Sequence, residues 1–263
     1  MTTTGLRQPR TSARMSGLGL PAIGAVIAIA IWWAATVVFE IKTLFLPAPP
    51  DIVEAFLRQP SFLLENAWAT LWKTLIGFVV AAGAGLLTAV VLSMSRTVER
   101  ATMPLLVALN SLPKVAVAPL LMVWLGFGWE PKVVMVLLIC FFPVVVSAMS
   151  GLTSTPADLG ELTKSMSASW WRSYFKVRLP WALPQIFVGL KVAISLALIG
   201  AVVAEINNPG VGLGGVIVLA GTSFDTPMAF AAIVLLALMS IILFYSVAAL
   251  ERLLLPWARD ISA

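Results

Sequence analysis

An all-α integral membrane protein with six transmembrane helices is the architecture this sequence predicts, on three observations. Apolar residues make up 60% of the chain and charged residues 11%, against about 25% charged in an ordinary soluble domain. Six apolar stretches approach the roughly 20 residues that a helix needs to cross a bilayer. Basic residues gather in alternate connections, as the positive-inside bias requires. A chain of 263 residues has room for these spans and short connections, but not for a separate soluble domain. The expected organisation is a tail at 1–17, a membrane domain at 18–255 with a polar loop at about 151–183, and a second tail at 256–263.

The first span, 18–39, follows Arg7, Arg10 and Arg14. Its apolar run outlasts the roughly 7 to 15 residues of a secretion-signal core, so it reads as a retained helix. After it comes Leu46-Pro47-Ala48-Pro49-Pro50-Asp51, then Ile52-Val53-Glu54-Ala55-Phe56-Leu57. The prolines restrain the approach and Asp51 can cap the next segment, which predicts a short surface helix acting as a tether. The remaining spans are expected at 67–93, 102–126, 131–150, 184–206 and 227–249. Between the last two lies Asn207-Asn208-Pro209-Gly210-Val211-Gly212-Leu213-Gly214-Gly215. Four glycines in six positions predict a turn with backbone conformations closed to other residues.

Orientation follows from the seventeen basic residues. With the amino terminus inside, eleven fall in cytoplasmic segments: Arg7, Arg10, Arg14, Arg96, Arg100, Lys164, Arg172, Lys176, Arg178, Arg252 and Arg259. Lys42, Arg58, Lys73 and Lys132 fall outside or at outer span ends, and Lys114 and Lys191 lie deeper. Both termini are therefore expected in the cytoplasm, and the bilayer is the chain's principal environment. Tryptophans favour the water boundary: Trp68, Trp72, Trp124 and Trp129 fall near outer ends, and Trp170, Trp171, Trp181 and Trp257 near inner ones. Trp32 and Trp33 sit deeper and are expected to pack against neighbouring helices.

Composition disfavours catalysis. There is no histidine, the commonest general base and transition-metal ligand. The lone Cys140 lies in an apolar run and reads as packing, with neither a disulfide framework nor a thiolate cluster. No Gly-x-x-x-x-Gly-Lys phosphate loop occurs, so any ATP that drives this protein is bound by another chain. The net charge of +5 reflects topology and calls for no nucleic-acid partner. An intramembrane hydrolase would need paired acids, a metal site or an activated serine. A secondary transporter would be expected to show inverted repeats, and none is evident.

Charged residues inside spans cost about 2.5 to 3.5 kcal/mol on insertion scales, so those retained should face protein or water. Lys114 lies about halfway along the third span, with Asn110 four residues earlier on the same helix face. Pro113 and Pro119 disturb that helix and free backbone carbonyls. Asn110 and Lys114 are therefore expected to border a passage, with Lys114 assisting an anionic or polar aromatic solute. The competing reading has Lys114 snorkel or pair with a carboxylate at a partner interface. Lys191 reads as an anchor near the cytoplasmic end of its span. Glu205, near the outer end of the same span, reads either as a gate or docking residue or as a plain helix-end carboxylate.

The loop at 151–183 is the most informative polar segment. Asp158 is a plausible cap, and Leu162, Met166 and Trp170 recur at four-residue spacing, which predicts an amphipathic helix. Periodicity alone is equally compatible with a helix lying on headgroups. Here the chain resembles the binding-protein-dependent ABC importer permeases. Their signature is Glu-Ala-Ala, a Gly after three more residues, then nine residues to Ile-x-Leu-Pro. Glu161 takes the Glu position, Ser167 the Gly, Val177 the Ile, and Leu179 and Pro180 the final pair, with every spacing kept. Leu162 and Thr163 replace the alanines, and Ser167 and Val177 replace glycine and isoleucine.

The resemblance extends over about 20–255. Leu46-Pro47-Ala48-Pro49, Ala118-Pro119-Leu120-Leu121-Met122-Val123-Trp124-Leu125-Gly126-Phe127-Gly128, Ala204-Glu205 and Gly212-Leu213-Gly214 look like the nitrate, sulfonate and taurine branch. Lys114 after Pro113, Pro131-Lys132 and Phe141-Phe142-Pro143 lean toward members that handle thiamine-precursor pyrimidines and other small aromatic compounds. The resemblance implies a type I ABC importer permease fold working with a second permease copy, two ATP-binding subunits and an external solute-binding protein. It implies no cofactor on this chain, with ATP and Mg on the ATPase subunits, and location in a bacterial inner membrane. The loop helix would then be the coupling helix. Glu161, Leu162, Thr163, Ser165, Met166, Ser167, Ala168 and Ser169 would seat in the ATPase, with Val177, Leu179 and Pro180 closing the motif.

Overall fold

The computed structural model describes residues 16–257 apart from 157, 160, 162–164, 167 and 168. Every regular element among the described residues is helical. Helix α1 (Ser16–Val38) leads to α2 (Pro49–Arg58) and α3 (Pro60–Ser93). Next come α4 (Arg96–Asn110), a 3₁₀ turn at Lys114–Val117, α5 (Ala118–Leu125) and α6 (Glu130–Thr153). A helical turn at Trp170–Ser173 and a π-helical turn at Tyr174–Arg178 run into α7 (Leu179–Asn207). The chain then forms α8 (Leu213–Thr222) and α9 (Thr226–Leu254).

Four stretches are long and apolar enough to cross a membrane: Pro60–Ser93, Glu130–Thr153, Trp171–Asn207 and Thr226–Leu254. They hold the expected spans two, four, five and six. The apolar part of α1, Ala22–Val38, is shorter but reaches the lower limit of about 17 residues for a spanning helix. The third expected span, 102–126, is not one helix. Its two halves, Thr97–Asn110 and Lys114–Leu125, meet at 72°. Pro113 has no N–H to continue the ladder and disfavours helical backbone at the residue before it, so α4 stops at Asn110. Pro119 falls in the first turn of α5, where proline is tolerated.

The tether helix is present as α2, capped differently from expectation. Ala48 is the cap residue, prolines open the first turn, and the Asp51 carboxylate reaches back to accept from the Ala48 N–H at 3.0 Å. The short helix α8 follows a glycine turn in which Gly212 has φ +144°.

The centre of the fold is the bundle of α3, α6 and α7. Ala81, Val136, Cys140, Val144, Ala193, Ile194, Ala197 and Ala201 form its buried seam. Small residues let the helices approach closely, which substitutes for the weak hydrophobic drive between helices in lipid. On α3, a Cβ on Gly77 would come within 2.6 Å of Val136 Cβ, and one on Gly85 within 2.9 Å of Val144 Cγ1. The two glycines and the two valines are each one heptad plus one residue apart, so two turns of α3 register against two turns of α6. Cys140 is fully buried in this seam and donates weakly to the Ala193 carbonyl at 3.1 Å. Trp32 packs against Phe230 with centroids 6.0 Å apart, whereas Trp33 is half exposed and faces outward, against expectation.

Candidate functional site

Three polar places interrupt the hydrocarbon, one at each end of the bundle and one at the break between α4 and α5. The first is built on Glu205, on the last turn of α7. Its carboxylate is completely buried. Lys73 Nζ on α3 lies 2.9 Å from Oε1, and the Thr70 hydroxyl donates to both oxygens at 3.1 and 3.0 Å. The Gly214 N–H donates to Oε2 at 3.0 Å. Asn66 Oδ1 accepts from the Gly212 N–H at 2.7 Å, Thr70 Oγ1 accepts from the Leu213 N–H at 2.9 Å, and Lys73 donates to the Val211 carbonyl.

The N–H groups that open α8 are thus satisfied by side chains from α3 and α7, with a carboxylate where the helix dipole favours negative charge. Gly212 is required twice over: its φ is positive, and a Cβ there would overlap the Glu205 carboxylate. Lys132, at the start of α6, is also buried beside this cluster, with its ammonium near Gly210. Glu205 is therefore an internal anion that ties α8 to α3. Sequence reasoning placed it and Lys73 at the same depth without pairing them.

The second place is the break between α4 and α5. Lys114 Nζ donates to Asn110 Oδ1 at 2.6 Å. The two side chains meet, but across a helix end and not along one helix face. The ammonium also stands 5.8 Å from the centroid of the Phe142 ring on α6, within reach of a cation–π interaction. Among the described residues, ion pairs form at Lys73–Glu205 and Lys191–Glu251, and no carboxylate pairs with Lys114. Lys191, expected as an anchor, is paired with Glu251 of α9 at 2.8 Å.

The third place is the polar loop and its join to α7. Leu162, Thr163, Ser167 and Ala168 lie outside the described residues. Residues 158, 159, 161 and 165 have helical backbone. Glu161, Ser165, Met166 and Ser169 are exposed, Met166 at 74%. Ser169 Oγ accepts from the Arg172 N–H at 3.4 Å as the next turn begins. Val177, Leu179 and Pro180 are half-buried where the chain enters α7.

Sequence reasoning missed Tyr174 between these groups. It is 1% exposed, and its hydroxyl lies 2.6 Å from Ser93 Oγ at the end of α3. It continues the four-residue spacing of Leu162, Met166 and Trp170, but that stripe predicts the loop helix alone and gives no sign of a partner on α3. No group of three or more His, Cys, Asp or Glu side chains suited to a metal ion occurs among the described residues.

Residues 81–259 match the family described as binding-protein-dependent transport system inner membrane component. The formylaminopyrimidine transport permease protein ThiX of Halalkalibacterium halodurans is 35% identical over 215 residues, 81% of this chain and 86% of that protein. A putative aliphatic sulfonates transport permease protein, SsuC of Bacillus subtilis, is 32% identical over 245 residues, 92% of this chain and 87% of the relative. Among solved structures, a chain of the inward-facing MetNI methionine ABC transporter superposes with a TM-score of 0.66 at 19% identity, over 74% of this chain and 97% of that one. At that identity the likeness speaks to fold, and the fold is that of a type I ABC importer permease.

Proposed function

Because the chain belongs to the family of binding-protein-dependent transport system inner membrane components, we propose a residue-level account of how it serves as the membrane permease of an ATP-driven importer. Two copies of this chain enclose the path, two separate subunits bind ATP and Mg and hydrolyse the nucleotide, and an external protein delivers the solute. Both termini and the loop at 151–183 lie in the cytoplasm, and the Glu205 end faces outward. This chain supplies no hydrolytic chemistry.

The observation that carries the coupling role is the continuity of the loop with α7. From Ser169 the chain runs without a break through the turn at Trp170–Ser173 and the π-helical turn into a 29-residue helix, and Glu161, Ser165 and Met166 before it are exposed. Leu162, Thr163, Ser167, Ala168 and Ser169 belong to the same docking segment, and Val177, Leu179 and Pro180 form its root. Closure of the ATPase pair pushes two such loops together. The helices rooted in them tilt between inward and outward access, a small lever acting on packed, bistable helices.

The path runs past the α4–α5 break. Asn110 and Lys114 border it, and Lys114 meets a small polar or anionic solute. ThiX and SsuC carry a pyrimidine and aliphatic sulfonates in their names, which is consistent with a compact polar or anionic cargo. Glu205 acts from outside the path by holding the outer turn in place. Replacing Glu161 with Lys reverses the charge offered to the ATPase. ATP-dependent uptake in vesicles is expected to fall to background while the permease stays inserted, and unchanged uptake would refute the docking role.

A further inference from the structure

Tyr174 is well placed to carry movement beyond α7. It belongs to a buried cluster with Ala89 of α3, Val145, Ala148, Met149 and Leu152 of α6, and Ala182 and Ile186 of α7. Its hydroxyl is 2.6 Å from Ser93 Oγ and 3.4 Å from the Val90 carbonyl, and Ser93 Oγ donates to that same carbonyl at 2.9 Å. Two buried hydroxyls and one helix-end carbonyl thus satisfy one another in a site that excludes solvent, where an unmet hydroxyl would be costly. Tyr174 opens the π-helical turn at Tyr174–Arg178 and is buried, while neighbouring Trp171 and Phe175 stay exposed at 58% and 50% and stack on each other. Turns of this kind are rare and concentrate at functional positions.

The same end of the bundle is tightly closed. A Cβ on Gly151 of α6 would come within 2.8 Å of the Ala182 carbonyl of α7. A displacement of the loop therefore cannot tilt α7 alone without breaking this packing. We infer that Tyr174, through its hydrogen bond to Ser93, is the positioning residue that makes α3, α6 and α7 move as one body when the coupling loop is pushed. The α4–α5 pair then shifts relative to that body. This rests on the proposed importer reading.

The test uses the complete assembly of permease and ATPase subunits in proteoliposomes, with Ser111→Cys as a reporter beside Lys114. The native thiol, Cys140, is fully buried. The readout is the rate of labelling by a membrane-impermeant maleimide, compared between vanadate-trapped and nucleotide-free states, alongside ATP hydrolysis. Tyr174→Phe and Ser93→Ala are each expected to keep hydrolysis at the wild-type level and reduce the labelling contrast about fivefold, the ratio that loss of one hydrogen bond represents. The double variant should lose less than the sum of the two single losses, since the two hydroxyls share the bond between them. Ser93→Thr should restore the contrast.

Wild-type contrast in both single variants would overturn the inference, as would additive losses in the double variant. A fall in hydrolysis in step with contrast, or lost thermal stability with contrast intact, would mark Tyr174 as packing only and overturn it equally. If the parent assembly carrying only the reporter shows no nucleotide-dependent contrast, the importer reading itself falls.

Discussion

Lys73 and Lys114 are both lysines in apolar spans, and the protein treats them in opposite ways. Lys73 is 4% exposed and paired with a carboxylate held by Thr70 and the Gly214 N–H. Lys114 is half-buried at a helix break, with a neutral amide and a ring for company. Retaining a charge at membrane depth is costly in either place. Around Lys73 the cost is offset by an internal counter-ion, and the product is a fixed outer turn. Around Lys114 no such counter-ion is supplied among the described residues, and the broken backbone beside it keeps the group accessible. The first is a structural charge, and the second is the one we propose to meet the solute.

The sharpest way to break this contrast is to remove the structural counter-ion. Glu205→Ala leaves Lys73 buried without its partner and should destabilise the permease by about 3 to 5 kcal/mol, the range for breaking a buried pair. Thermal unfolding in detergent would show it, and the double replacement Lys73→Met with Glu205→Leu should recover only part of the loss, because the Gly214 N–H is still left without its acceptor. A smaller effect is expected from Gly212→Ala, which puts a side chain in an unfavourable backbone region against the Glu205 carboxylate. About 1 to 3 kcal/mol is expected from the strain, read by the same unfolding assay. A variant as stable as the parent would mean that the turn is not pinned as described.

Much of this was legible in the sequence, and the exceptions have physical causes. Apolar length located α6, α7 and α9 to within a few residues at most ends, because hydrocarbon thickness sets a minimum that the chain must meet. The same criterion merged α4 and α5, since hydropathy is blind to the turn that Pro113 enforces. It also passed over α8, whose ten residues are too few to register as a span. The depth of Lys73 and Glu205 could be read, but not their contact. They lie 132 residues apart, and only the packing of α3 against α7 brings them together. Tyr174 was missed for a related reason: it continues the four-residue spacing of Leu162, Met166 and Trp170, but its partner Ser93 lies 81 residues away and only packing joins them.

Lys114→Met is expected to have the least effect on stability, because among the described residues that side chain forms no ion pair and is only half-buried. Its effect should instead appear in transport. The most direct measurement is the concentration dependence of ATP-driven uptake by the reconstituted assembly, parent against Lys114→Met, with thermal unfolding run on the same preparations. An unchanged unfolding temperature with apparent solute affinity weakened about tenfold, equivalent to ~1.4 kcal/mol, is the result expected of a lysine held ready for the solute. Parental affinity and rate in a fully folded variant would contradict it.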